Sequence, residues 1–560
     1  MKLRAFSCNR VLLRKNLSRY MPAMLIFGIL MLMSVVLPTL TGLSILNGNK
    51  PLRDEALSIV SRIQYSTMTT FGMIYAPISA GCVFGYLHNR KSSYMLHAFP
   101  LSRECLFATN YASGFLLFLI PTAGNCLLSL LLPLLNGYFL PELLLVDLLS
   151  VLQFSFFYTL AVFCMQLSGK RSFAIICYFI LNFLAPIVEG MFTLMIEPYL
   201  FGVDYSAMVV SKYLSPYVYF SAWTFTGSIS LFALPWIYTL CLFIVAFALA
   251  VGAVQLYRRR PIECVGQSIC FAKTAIVIHI LLTVVIALFF GIVFYAMTPI
   301  SNQTFKLVCV VAAAFTGYML LYKPLRRQKA FTLKSLLQFG ALALVIVAAD
   351  LIFRFDVLNI ATYVPEPSEV ASVCLNANSS LREVTTEDPT LIENLCALHE
   401  KLIEDYDHKA DFYESGYERI GFTYRLKNGK TVERYYYLLE DIPSQKEVCE
   451  LAYSIFDSSA FNGEYLNDLR ERVINCEMDD NAQKLTKAQL DAVFDALHKD
   501  LSEPQDLYLD HLEENGCRLL LEFTDEEGYA RYSLAFDLPE TAKNALDYLN
   551  TIRTESDIIR

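Results

Sequence analysis

The chain has 560 residues, of which 55% are hydrophobic, 13% aromatic and only 18% charged, and its mean hydropathy is +0.44. Residues 1–353 carry 25 Lys+Arg against 10 Asp+Glu, a net of +15, while residues 354–560 carry 20 against 43, a net of −23. Globular chains hold about 25% charged residues, so this pattern of a cationic apolar body and an acidic tail disfavours a single soluble domain, a secreted disulfide scaffold and a nucleic-acid binder together.

A spanning helix needs about 20 mostly apolar residues, because the hydrocarbon core is about 30 Å thick and a helix rises about 1.5 Å per residue. Nine stretches meet or approach that length: residues 21–46, 65–87, 105–135, 143–167, 172–196, 228–257, 274–297, 305–322 and 336–353. The last two are short, which leaves a range of seven to nine. The first is too long for a cleaved signal peptide and lacks a small-x-small cleavage site.

Lys and Arg in short loops set orientation. With nine spans, segments 1–20, 88–104, 168–171, 258–273 and 323–335 share one side and hold 20 basic residues. The opposite short loops hold only Lys50, Arg53, Arg62 and Lys212. The expected arrangement is therefore a polytopic α-helical membrane protein of about nine spans, with its N-terminus inside and residues 354–560 outside. The tail reads as an α+β domain. Asn428-Gly429 between two apolar-alternating runs is a hairpin signal, and residues 390–407 and 485–501 carry apolar side chains at helical spacing. A strand near 369–375, a helix, that hairpin and a helix near 445–456 repeat as 473–478, 485–501, the hairpin 518–523/529–536 and 540–549. The tail is thus expected to hold a duplicated β-α-β-β-α unit with an offset close to 100 residues.

Several chemistries are missing. There is no G-x-x-x-x-G-K-[ST] loop to cradle phosphates with backbone amides, and Gly169-Lys170-Arg171-Ser172 lacks the order and the leading glycine. His399-Glu400 opens like a zinc-protease helix, but Ile403 stands where the second ligand belongs. Glu513-Glu514-x-x-x-Arg518 matches a protease motif only in letters. No metal, cofactor or catalytic residue is expected in this chain. Of 15 cysteines, ten are scattered through the body, and five (Cys374, Cys396, Cys449, Cys476, Cys517) lie in the tail without a C-x-x-C pair. Buried free thiols, behaving as small apolar groups, are the expectation.

Ionisable side chains within spans are expensive and so are functional candidates. Asp147, Glu197, Lys306 and Asp350 sit at outer ends, where snorkelling to the interface explains them. Glu189 lies seven residues inside its span, about 10 Å deep at the helical rise, where it meets either a translocated substrate or a structural partner. Segment 197–227 holds nine aromatics, among them Tyr217 and Trp223; it suits an interfacial aromatic belt or, alternatively, an outer gate. Segment 88–104 mixes Arg90, Lys91, His97 and Arg103 with Tyr94, Met95, Leu96 and Phe99. That composition suits either a short helix docking in a partner's groove or a plain topology-setting loop.

Cys8-Asn-Arg-Val-Leu-Leu-Arg-Lys-Asn-Leu-Ser-Arg19, Tyr86-Leu-His-Asn-Arg-Lys-Ser, His97-Ala-Phe-Pro-Leu-Ser-Arg103 and Asn110-Tyr-x-x-Gly114 together resemble bacterial ABC-exporter permeases of the type-two class. The layout is similar to a Gram-positive subgroup with an additional C-terminal domain. The resemblance implies an amphipathic elbow helix at 1–20, a six-span permease core at 21–257, three additional spans at 258–353 and an extracytoplasmic domain at 354–560. It implies that Arg90, Lys91, Tyr94, His97, Pro100 and Arg103 belong to a coupling helix meeting a separate ATPase subunit, which alone holds ATP–Mg. It further implies pairing with itself or a second permease in a bacterial plasma membrane, where Glu189 is a candidate for the translocation path; the acidic outer domain suits cationic substrates such as antimicrobial peptides, drawn in by a steering field, so that peptide or antimicrobial export is the expected work. A membrane-anchored sensor or assembly protein with a ligand-binding external domain is the alternative.

Overall fold

The structure is a computed structural model that describes residues 8–36, 53–135, 137, 139–141, 143–203, 209–225, 236–300, 302–377, 382–404, 417–439, 446–456, 458–478, 483–502, 517–524, 531–538 and 542–559. The chain divides into two compact units, one of residues 1–195 and 207–350, the other of residues 196–206 and 351–560. The boundary near 350 falls where the charge balance of the sequence reverses.

The first unit is helical. Among the described residues, seven helices are long and apolar enough to cross a membrane: α5 (Arg103–Leu135), α6 (Leu143–Leu167), α7 (Arg171–Ile196), α10 (Trp236–Arg259), α11 (Ala272–Ala296), α12 (Gln303–Arg326) and α13 (Leu333–Arg354). The chain is a membrane protein. Two other expected spans differ from simple hydropathy. α2 (Met21–Met31) runs 11 residues into a π-helical turn at Leu32–Val36, and 37–46 lie outside the described residues. α3 (Arg53–Val83) is 31 residues long but mixes Ser, Thr, Gln and Gly with its apolar residues, because its polar side chains point inward. Gln64, Thr69 and Ser79 are all buried. Gln64 donates to Asp147 at 2.6 Å, Thr69 donates to Gln153 at 2.9 Å, and Ser79 donates to the Gly114 carbonyl at 2.6 Å. Such interhelical bonds are the substitute for a hydrophobic drive in a bilayer.

α6 lies at the centre and is buried over most of its length. Aromatic rings fill the space around it: Phe154 stacks on Phe118 at 3.6 Å and on Tyr158 at 5.7 Å. Tyr158 in turn crosses α5 so closely that a Cβ on Gly114 would sit 2.1 Å from its hydroxyl. The amphipathic helix α1 (Arg10–Arg19) lies along α5, held by Asn16, which donates to Asn110 at 2.8 Å and Ser113 at 3.2 Å. The Asn110-Tyr-x-x-Gly114 motif is thus a helix-crossing device: Asn110 receives α1, Tyr111 bonds Thr159 at 2.6 Å, and Gly114 admits Tyr158. Further along the chain, α11 and α12 form a tight hairpin in which Gly291 faces the Val310 backbone and Gly317 faces Ile286, the small-residue contact that membrane helices favour.

The second unit carries two four-stranded antiparallel sheets. β1 (Val370–Ala377), β2 (Arg382–Thr386), β3 (Tyr417–Leu426) and β4 (Thr431–Leu439) take the order β2-β1-β3-β4; β5 (Val473–Met478), β6 (Gln483–Leu485), β7 (Cys517–Thr524) and β8 (Arg531–Leu538) take the order β6-β5-β7-β8. Gly429 turns the first hairpin at φ +82°, as its sequence leads one to expect. The turn of the second lies outside the described residues. α14 (Pro389–Glu404) starts on an Asp388 cap and buries Leu391, Leu395, Leu398 and Leu402 against Val373, Leu375, Ile420 and Phe422. α17 (Lys487–Ser502) starts with a capping box, Thr486 and Gln489 bonding each other's backbone amide. α15 (Lys446–Phe456), α16 (Ser459–Arg472) and α18 (Lys543–Ile559) complete the unit, and Asp500 is buried against the first turn of α18, accepting from Asn544 at 2.9 Å and Ala545 at 3.1 Å. The edge strands β2 and β6 were not read from the sequence; at five and three residues they are too short to show alternation.

The strap that follows α7 belongs to this second unit. The Gly202 carbonyl accepts from the Tyr435 amide at 2.8 Å, and Gly202, at φ +77°, sits against the Tyr436 ring where a Cβ would come within 2.5 Å. Tyr436 also holds His399, whose two ring nitrogens meet Tyr424 at 3.0 Å and Tyr436 at 2.8 Å. Burial, and after it the Arg434 guanidinium, push His399 down to about 3. The unfolded chain, with an imidazole near 6.5, therefore takes up a proton before the folded one does. Stability from this site rises with pH between about 3 and 6.5 and is level above. Calorimetry of the whole chain should show the tail's transition falling as pH drops from 7 to 5, with His399→Gln flattening that slope. An equal slope in the variant contradicts the assignment.

Candidate functional site

The residues that the sequence singles out between 88 and 104 lie on one loop-built face of the first unit. The chain leaves α3 through a single 3-10 turn and starts α4 (Arg90–His97) on Asn89, whose side chain accepts from the Ser92 amide. α4 is eight residues long and two-sided. Ser93 is buried beneath it, whereas Tyr94, Met95 and Phe99 are 58%, 59% and 47% exposed. Arg90, Lys91 and Pro100 are exposed beside them. Large apolar side chains left in the open on so short a helix and the turn after it, beside two basic groups, have the character of a docking surface.

The rear of α4 is braced. His97 bonds the Ser93 carbonyl at 2.8 Å through one ring nitrogen and faces the Tyr257 hydroxyl at 3.4 Å through the other. Tyr257 is shared with Tyr86 at 2.9 Å. Arg103, at the start of α5, donates to the carbonyls of Tyr257, Arg258 and Arg260 at 3.3, 3.0 and 3.3 Å, and Arg258 pairs with Glu104 at 2.9 Å. Among the six residues assigned to coupling, Arg90, Lys91, Tyr94 and Pro100 thus face outward, while His97 and Arg103 fasten the helix to the end of α10.

Arg260 was not anticipated, since a third arginine in Arg258-Arg-Arg260 reads as one more topology charge. It is buried, donating to the Met165 and Gln166 carbonyls at 2.7 and 2.9 Å and to Leu87 at 3.1 Å. Burial draws its guanidinium down to about 10, so it stays charged at neutral pH. Burial, and then the charge of Arg260, push His88 down to about 3, which keeps that imidazole neutral. The loop after Arg260 interlocks with the α6–α7 turn: Gly169 donates to Gln267 at 3.0 Å and accepts from Gly266 at 2.9 Å, and a Cβ at Gly169 would strike the Cys264 carbonyl. Cys264 and Cys270 lie against each other in this loop, with Cα atoms 5.3 Å apart, a spacing that a disulfide can bridge. The sequence reading of scattered, separate thiols did not anticipate this neighbouring pair. In the tail, Cys396, Cys449 and Cys476 are buried and Cys374 is half-buried.

The intramembrane candidates are likewise built in. Glu189 accepts from the Ser211 amide at 2.6 Å and the Val210 amide at 3.3 Å, so its carboxylate sits on the first turn of α8 (Val209–Leu214). Asp147 and Lys306 are buried rather than snorkelling: Asp147 accepts from Gln64, and Lys306 donates to the Leu194 and Met195 carbonyls at 3.2 and 3.3 Å. Asp350 is buried as well, and Glu197 is exposed. Tyr217, on α9 (Pro216–Phe225), meets Phe183 edge-on at 5.4 Å, while neighbouring Tyr219 stacks on Tyr238 at 3.7 Å. Trp223 lies on α9, but its side chain is outside the described residues. No group of three or more His, Cys, Asp or Glu able to hold a metal occurs among the described residues.

Removing Arg260 would strand three buried carbonyls, each costing about 1–3 kcal/mol. Arg260→Ala should lower the thermal midpoint by several degrees and expose the Arg90–Lys91 bond to trypsin, with Arg260→Lys intermediate. Unchanged proteolysis in Arg260→Ala would show that α4 stands without this brace.

Comparison with protein-family models, with curated proteins and with solved structures finds no match to this chain.

Proposed function

We propose that the chain is the membrane subunit of an ATP-driven ABC exporter. The observation that carries this reading is α4, a two-sided helix presenting Tyr94 and Met95 outward, with Phe99 exposed in the turn after it, while His97 and Arg103 tie it to α10. A push on its exposed side passes through Arg103 and Tyr257 to the end of α10, and Arg260 continues the link to the end of α6. An ATPase subunit, holding ATP–Mg itself, docks there, and its closure tilts the bundle between inward-open and outward-open states. Two permease halves, identical or sister, frame the path. Glu189 stands beside it, Tyr217 and Trp223 gate its outer end, and peptides are the class of cargo.

Orientation follows from the basic loops: the α4 face is cytoplasmic in a bacterial plasma membrane and the tail is extracytoplasmic. The strap at 196–206 supports this, since it folds within the tail's unit and so shares its side of the membrane. Four apolar helices, α10 to α13, lie between strap and tail, an even number that returns the chain to that side. The matching strand orders of the two sheets, with β3 and β7 starting at Tyr417 and Cys517, support a duplicated unit, now β-β-α-β-β-α. A sensor reading draws support from the strap itself, which joins the tail's sheet to the end of α7.

Purification of the chain from its native membrane in mild detergent tests the assignment. A stoichiometric ATPase subunit should accompany it and be lost when Arg90 and Lys91 are changed to Glu and Tyr94 to Asp, with the thermal midpoint unchanged because all three are exposed. A chain that purifies alone, with no ATP hydrolysis depending on it, favours the sensor.

The Cys264–Cys270 pair tests orientation. Facing the cytoplasm, it meets a reducing pool and should be dithiol in living cells. Acid-quenched cells, denatured and alkylated before and after reduction, should yield both cysteines labelled in the first step. A pair labelled only after reduction would reverse the proposed sidedness.

A further inference from the structure

The three helices beyond the proposed core enclose a cavity with a chemistry of its own. It measures about 280 Å³ and lies where α11 begins, α12 ends and α13 begins, lined by Arg326, Arg327, Lys334, Gln338 and Tyr322 on its polar side. No carboxylate lines it among the described residues, and Glu263 is the one acid in the whole stretch 258–335.

The two guanidinium groups are fixed. Arg326 donates to His279 Nδ1 at 3.1 Å and to Gln338 at 2.9 Å, and packs over the Tyr322 ring at 5.3 Å. His279 Nε2 lies 3.0 Å from the Tyr318 carbonyl. Because a guanidinium only donates and a carbonyl only accepts, Nδ1 is bare and Nε2 carries the proton. His279 is a neutral strut that aims Arg326. Arg327 ends α12 in the left-handed region at φ 57°, and its side chain donates to Gln267 and, at 2.7 Å, to the Ile269 carbonyl. Each guanidinium has five N–H donors, and these bonds occupy two of each. The rest, with the Lys334 ammonium, are available to an anion with several oxygens.

We infer that this cavity binds a phosphate-bearing anion, and specifically the headgroup of an anionic phospholipid. Phosphate suits rigid Arg forks, which it meets with paired oxygens. A lipid suits the setting: Ile276 at the mouth is 44% exposed, and Phe331 and Leu333 in the adjoining turn are 75% and 76% exposed. Such apolar groups hold acyl chains against the rim, and basic pockets between helices at a membrane face take acidic headgroups. The site joins lipid composition to the packing of α11, α12 and α13, independently of any partner at α4.

Native mass spectrometry of the full chain in detergent tests this with phosphatidylglycerol, phosphatidylcholine and glycerol 1-phosphate as probes. Phosphatidylglycerol should be retained several-fold more than phosphatidylcholine. Lys334→Gln, an exposed position, should cut that retention about fivefold, the worth of one basic side chain near an anionic surface. Lys170→Gln, an exposed charge elsewhere on the same face, should leave it unchanged. Equal retention of the two lipids, or equal loss in the two variants, overturns the site. Glycerol 1-phosphate binding as well as phosphatidylglycerol overturns the lipid as its source.

Discussion

Backbone carbonyls at the end of a helix have no partner within the helix, and in a membrane protein they cannot be left dry. Two such carbonyls, from Met165 and Gln166 at the end of α6, and a third from Leu87 converge on the Arg260 guanidinium. Arg103 does the same for the end of α10, taking the carbonyls of Tyr257, Arg258 and Arg260 itself. Two arginines thus close the ends of three chain segments into one platform. α4 is braced against that platform. Eight residues cannot hold a helix by propensity alone, and from its rear His97 reaches the Tyr257 hydroxyl of this platform.

The same economy recurs inside the bundle. Gln64, Thr69 and Gln153 bond across α3 and α6, and Asp147 receives Gln64. In hydrocarbon each of these groups would cost several kcal/mol unpaired (about 2–7 kcal/mol per group), so they specify which helix faces lie together. Apolar surface cannot do so in a bilayer, being equally content against lipid. This makes α3 the least apolar of the long helices and also one of the most tightly placed.

That difference explains what was legible in the sequence. Hydropathy and length pick out α5, α7 and α10 to α13, which keep much of their apolar surface outside the protein interior, and α6, whose buried surface is apolar as well. α3 is harder to read, since its composition reports its neighbours rather than the solvent. Asp147 and Lys306 look like snorkelling residues when only their distance from a span end is known; their burial depends on partners 83 and 112 residues away in the chain. The Asn428-Gly429 hairpin and the α14 and α17 helices are local patterns and were readable, whereas β2 and β6 exist only because a neighbouring strand offers an edge. For the candidate site, composition pointed to the segment 88–104, and the structure divides it into outward and bracing residues. Arg260 and His279 escaped because a charge in a basic run and a histidine in an apolar run carry no local mark of a long-range bond.

Gly202 shows how a single residue type can carry information across that gap. Nothing in Tyr199-Leu-Phe-Gly202 marks a contact with a strand some 230 residues later, yet φ +77° and a ring 2.5 Å from any Cβ leave room only for glycine. With its carbonyl bound to the Tyr435 amide, the strap adds to a sheet whose inner face is closed by His399 between Tyr424 and Tyr436. The strap follows directly on α7, whose last carbonyls hold Lys306 of α12.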